Sequence, residues 1–163
     1  MQKMSIQLPV RGNDTIEILM NDHDVIKTLM NDVVGASETA MRRDAFEHLK
    51  AALVVHNATE ENLVYPAIRA VAHKKAESQT LYNETAEADV LVFELDAKLS
   101  EGDDSGFSAK AKKLQKAILA HIEEEERTAF PQLDKMSDTA HTAALTAAVR
   151  EFRKTFHFEP EMA

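Results

Sequence analysis

Ile16, Leu19, Met20, His23, Ile26, Met30, Val33 and Val34 recur every three or four residues, the spacing of one face of a helix. Asp14, with Glu17 three residues later, resembles a capping box, so the first predicted helix spans about residues 14–34. Gly35-Ala36-Ser37 interrupts it. A second stripe on Phe46, Leu49, Leu53, His56, Glu60 and Leu63 is expected to kink or end near Pro66, whose ring removes a backbone N–H and crowds the turn before it. A further turn or two would carry Ile68 and Val71 toward His73. Leu81, Glu84, Leu91, Leu95 and Leu99 predict a third helix over about 77–99, and EGDDSG at 101–106 reads as the clearest loop. Leu114, Ile118, His121 and Glu125 share a stripe of a fourth helix over about 107–129, which Pro131 should stop. After Ser137 or Asp138 as N-cap, Leu145, Val149, Phe152 and Phe156 mark an Ala-rich fifth helix.

Four long helices with short connections predict an all-α fold, an up-down-up-down four-helix bundle with an additional C-terminal helix packed outside it. On this reading residues 1–13 are an N-terminal tail or strap, 14–131 the bundle and 132–163 the C-terminal helix. Composition agrees: 163 residues suit one domain, 44% hydrophobic content can bury a core, and four Gly, four Pro and no Trp favour long helices over strands and turns. The 28 acidic residues outnumber 19 basic ones, for a formal charge of −9, and no Lys/Arg block could track a phosphate backbone, which argues against a nucleic-acid partner. No apolar run is long enough to span a bilayer, and the N-terminus lacks a signal-peptide core, so the expected place is the cytoplasm, with no membrane partner. The absence of cysteine excludes disulfides, thiolate metal sites and cysteine nucleophiles.

The chemistry lies in a repeat. HNATEENLVYP, from His56 to Pro66, recurs in outline as HIEEEERTAFP, from His121 to Pro131, an offset of 65 residues. His and Glu at i and i+4 point the same way from a helix, about 40° apart at roughly 100° per residue. Two such pairs converging in a bundle make a metal site. The same offset sets DHDVI at 22–26 against EADVL at 87–91, so the counterpart of His23 is Ala88, and the counterpart of Leu19 is Glu84.

The doubled H-x-x-x-E-E…[YF]-P pattern resembles the hemerythrin family, specifically its HHE cation-binding branch, over roughly residues 14–131. The resemblance implies a bundle holding two irons, bridged by carboxylates and an oxo or hydroxo group, with manganese the second choice of metal. Carried onto this chain, it gives His23 and His56 to one iron and His121 to the other, with Glu60 and Glu125 bridging. Respiratory hemerythrins carry two histidines one turn apart on the third helix, where this chain has Glu84 and Ala88. Glu84 is therefore a candidate ligand if it turns inward, and Glu124, at i+3 from His121, a further oxygen donor.

The function this resemblance implies is binding, sensing or redox handling of O₂, peroxide or nitric oxide. The competing readings are a di-metal oxidase or oxygenase acting on a small organic substrate, and an iron storage or sensing protein; an enzyme here would be a di-iron oxidoreductase. Taken alone, His23 reads as a hydrogen-bonded core histidine, and only its company makes it a ligand. Glu61, Glu123 and Glu126 read as a solvated face, and His48, His73, His141 and His157 as surface or satisfied histidines. Tyr65 and Phe130 fall about 180° from their histidines on an ideal helix and read as packing, with a Tyr65 hydroxyl near the site only if the helix bends at Pro66.

Overall fold

The Asp14 carboxylate accepts the amide of Glu17 at 2.9 Å, and the Glu17 carboxylate accepts that of Asn13 at 2.7 Å. These bonds satisfy amides that the first helical turn leaves without partners, and helix α1 (Thr15–Gly35) starts there. The computed structural model of the chain describes residues 8–72 and 75–156, with side chains at 8–71 and 77–156. His73 and His157 lie outside them, as do residues 1–7 of the predicted tail.

The chain continues as α2 (Thr39–Thr59), a π-helical turn (Glu60–Val64), α3 (Tyr65–Ala72), α4 (Lys75–Glu101), α5 (Asp104–Glu124), a second π-helical turn (Glu125–Ala129), α6 (Phe130–Met136) and α7 (Thr139–Arg153). Among the described residues there is no strand: the protein is an all-α helical bundle. The loop expected at 101–106 is shorter than predicted. Gly102 takes φ +69°, a conformation that glycine adopts without steric cost, and Asp103 caps α5 by accepting the Gly106 amide at 2.9 Å, so the helix resumes at Asp104. Of the two cap candidates for the last helix, Asp138 serves, accepting the amide of His141 at 2.8 Å.

α1 packs along α2, α4 along α5, and the two pairs meet through α1 with α5 and α2 with α4. Between them lie two apolar clusters. One gathers Ile26, Met30, Phe46, Leu49, Leu53, Leu91, Leu95, Leu114 and Ile118; the other gathers Leu19, Val64, Ile68, Leu81, Phe130 and Leu133. Each such side chain contributes about 1.5–3 kcal/mol by leaving water. Every long helix passes from one cluster to the other, and the residues at the crossing are His23 between Leu19 and Ile26, His56 and Glu60 between Leu53 and Val64, and Glu125 between Ile118 and Phe130. The polar centre is thus sealed above and below by hydrocarbon.

Pro66 and Pro131 do not end their helices. The π-helical turns precede them, with the amides of Tyr65 and Phe130 reaching back five residues to the carbonyls of Glu60 and Glu125. A widened turn loosens the usual i to i−4 ladder next to each proline, which has no N–H to give. The extra residue also shifts the register. Val64 is buried where the stripe predicts Leu63, which is half-buried.

α7 packs on α1 and α2. Thr146 Oγ1 accepts the Thr15 amide at 3.0 Å, and Arg150 donates to the carbonyl of Gly12 at 2.6 Å, which ties the segment before α1 to the last helix. None of the described helices is long and apolar enough to cross a membrane.

Candidate metal centre

His23, His56, Glu60 and Glu125 are all buried, and one donor atom of each lies within 4.8 Å of the rest. The i, i+4 spacing of the two His/Glu pairs does what helical geometry requires: His56 Nε2 stands 3.2 Å from Glu60 Oε1, and His121 Nε2 stands 3.2 Å from Glu125 Oε1. His23 Nε2 lies 3.2 Å from Glu125 Oε2 and 3.9 Å from Glu60 Oε1. His121 Nε2 reaches the far side of the same carboxylates, 4.0 Å from Glu60 Oε2. Each glutamate therefore turns one oxygen toward His23 and the other toward His121.

Behind each imidazole stands a carboxylate. Nδ1 of His23 bonds Glu126 at 2.8 Å, Nδ1 of His56 bonds Asp22 at 3.2 Å, and Nδ1 of His121 bonds Glu84 at 2.8 Å. An ionised carboxylate only accepts, so each Nδ1 carries the proton and each Nε2 faces the glutamates. Metal-ligating histidines are oriented in this way. His23 Nε2, Glu60 Oε1 and Glu125 Oε2 are buried and make no hydrogen bond, a costly condition that a cation among them would relieve. The residues present therefore fit a bound metal.

The electrostatics point the same way. Burial opposes charge on His23 and His121, but Glu125 and Glu60 beside them overcome it, pushing His23 up to about 10 and His121 up to about 11. His56 is also raised, with burial again opposing and Glu60 and Asp22 prevailing. Burial would raise Glu60, yet His56, His121 and His23 hold it well below the ordinary carboxylate range. Without metal, this centre gathers protons as its positive charge.

Several sequence-based assignments change here. Glu84 does not turn into the cluster; it holds His121 from outside on Nδ1. Glu126, read as solvated, is the partner of His23 and also of Lys27 at 3.3 Å. Glu124, read as a possible donor, instead faces Arg127 at 3.6 Å. Tyr65, read as packing, places its hydroxyl 2.9 Å from Glu60 and 2.8 Å from Glu125. The cause is the π-helical turn: on an ideal helix Tyr65 would stand about 140° from Glu60, but the i to i+5 closure brings it over the glutamate. Phe130, its repeat mate, stacks on His23 with centroids 5.6 Å apart. A cavity of about 20 Å³ touches Ala88, Thr85, His56 and His121, with Ile26, Leu53, Ile118 and Ile122 as its apolar walls.

Asp22 and Arg153 carried no signal in the hydrophobic pattern. Asp22 is 1% exposed, and Arg153 reaches from α7 to form a buried ion pair with it while donating to Thr59 Oγ1 at 2.6 Å. A buried carboxylate needs such a partner, and the partner is 131 residues away in sequence.

A family model described as the hemerythrin HHE cation-binding domain matches residues 14–133. Among curated proteins, a DNA nickase from Nostoc sp. (strain PCC 7120 / SAG 25.82 / UTEX 2576) is 22% identical over 114 residues, which cover 70% of this chain and 32% of that protein. The chain thus spans about a third of the length of this relative.

Proposed function

Because the chain belongs to the hemerythrin HHE cation-binding family, we propose that it holds two irons, with manganese the second choice, and uses them for redox handling or sensing of O₂, peroxide or nitric oxide. His23 and His56 would bind one ion, His121 the other, and Glu60 and Glu125 would bridge them. The observation that carries this is the convergence of Nε2 atoms from both sides onto two buried glutamates, with a carboxylate behind every imidazole. The helices fit an up-down-up-down four-helix bundle with α7 added. The expected place is the cytoplasm, with no nucleic-acid or membrane partner; the formal charge of −9 supports the first of these exclusions.

A bound iron pair supplies one-electron steps between ferrous and ferric states to a small oxidant. The protein's part is to hold, seal and tune. The apolar clusters exclude water, Asp22, Glu84 and Glu126 fix the imidazoles, and the cavity beside Ala88 admits about one small molecule. That volume supports a diatomic or peroxide ligand over an organic substrate.

Elemental analysis of purified protein should find two irons per chain, and peroxide should change the visible absorbance. Chelation should lower the melting temperature, because metal binds the folded state alone. At free metal about 100 times Kd, binding contributes about 2.7 kcal/mol, or roughly 5–10 °C for a chain of this size. Identical melting with and without metal, and no retained iron, would remove the reading.

The two positions should separate by mutation. Glu84→Ala frees His121 Nδ1 and should weaken the second ion by about 10–100-fold while sparing the first. Ala88→His should add an imidazole beside His121 and tighten the second ion. Equal weakening of both ions by Glu84→Ala, or no change from either variant in a metal titration, would contradict the assignment of His121.

A further inference from the structure

Around the second position, four atoms able to ligate a metal converge. Tyr65 Oη lies 2.8 Å from Glu125 Oε1, 2.9 Å from Glu60 Oε2 and 3.0 Å from His121 Nε2. His121 spends its Nδ1 proton on Glu84, and each carboxylate oxygen only accepts. The phenolic O–H can point at only one of the two carboxylate oxygens at a time. Thr85 Oγ1 lies 3.5 Å from the phenol oxygen and donates to the carbonyl of Leu81 at 3.0 Å. A cation among these four atoms satisfies all of them.

The spacing suits coordination. Donors held about 2.1 Å from one octahedral ion stand about 3 Å apart when adjacent and about 4 Å apart when opposite. Tyr65 Oη is at adjacent spacing from all three other atoms. His121 Nε2 is 3.2 Å from Glu125 Oε1 and 4.0 Å from Glu60 Oε2, one adjacent and one opposite separation.

The two positions are also complementary in composition. The first has two imidazoles, His23 and His56, and the aromatic ring that lies over it, Phe130, has no oxygen. The second has one imidazole, because Ala88 stands where the repeat would put another, and its aromatic ring is Tyr65. We propose that Tyr65 is a metal ligand of the second position, its phenolate oxygen replacing the imidazole absent at Ala88 and making that position selective for ferric iron. This rests on the two-metal reading above.

On binding, the phenolic O–H bond breaks, an O–Fe bond forms, and the proton leaves to solvent with those displaced from the imidazoles. No electron moves in this step. Phenolate is a hard oxygen donor, and together with two carboxylates it favours the trivalent ion over divalent iron or zinc.

The chain has two tyrosines, which makes the test selective. The other, Tyr82, donates its hydroxyl to the carbonyl of Glu61 at 2.7 Å. Full-length protein loaded with Fe³⁺ is to be examined by visible absorption and resonance Raman spectroscopy, with iron per chain measured in the same samples. A phenolate-to-iron charge-transfer band is expected in the wild type and in Tyr82→Phe, and is expected to vanish in Tyr65→Phe together with an affinity loss of at least 10-fold for the second iron. If Tyr65→Phe fails to fold, the band in Tyr82→Phe still has no source but Tyr65. Two irons per chain without a phenolate band, or a band that survives in Tyr65→Phe, would overturn the ligand and leave the two-metal reading standing. Failure to take up iron at all would overturn both.

Discussion

Glu60→Gln and Glu125→Gln should each strip the protein of most of its metal, at both positions at once. Each glutamate offers one oxygen to the His23 side and the other to the His121 side. A neutral amide of nearly the same shape keeps the packing, so the variants test charge and coordination and leave cavity formation aside. Changes to the groups behind metal ligands typically cost about 10–100-fold in affinity, and losing a shared ligand should cost more than that for both ions. The metal-free variants should fold, because removing one buried carboxylate leaves the imidazoles facing one negative charge and free to stay neutral. Metal titration followed by elemental analysis measures the effect. Wild-type stoichiometry in either variant would mean that the glutamates do not bridge.

Arg153→Met should be strongly destabilising although it lies outside the centre. Asp22 and Arg153 are both nearly inaccessible, and their ion pair is supported by Thr59 Oγ1, which accepts from Arg153 Nε at 2.6 Å and donates to the carbonyl of Val55 at 2.7 Å. Methionine fills similar volume without a donor and leaves a buried carboxylate unpaired, a loss of about 3–5 kcal/mol. The effect should reach the metal as well, because Asp22 holds Nδ1 of His56. The double variant Asp22→Asn/Arg153→Met removes the stranded charge and should recover much of the stability while first-position metal affinity stays reduced. Melting curves and metal titrations on the four proteins form a cycle that separates the two effects. Unchanged melting of Arg153→Met would mean that the Asp22–Arg153 ion pair does not stabilise the packing of α7 on the bundle.

Helical periodicity alone placed the long helices and the core side of each, because side chains at i, i+3, i+4 and i+7 share a face in any straight helix. It also brought His56 with Glu60 and His121 with Glu125 onto inward faces, and the 65-residue repeat identified His23 and Ala88 as counterparts. Those are local relations, settled within one or two turns or by an internal copy of the same pattern.

Tertiary structure decided what lay outside that range. The π-helical turns insert one residue into the register, so Tyr65 arrives over Glu60 and Val64 replaces Leu63 in the core; an ideal 100° step cannot announce such a turn. Glu84, Glu126 and Asp22 look alike in sequence as acidic residues near the stripes. Their roles follow from which imidazole edge each helix presents to its neighbour, across 37, 103 and 34 residues of chain. Arg153 is the extreme case, a charged residue on an Ala-rich helix whose burial is stabilised only because a carboxylate 131 residues earlier needs a counterion. Spacing within a helix is written in the sequence, whereas a partner across the bundle exists only once the helices have packed.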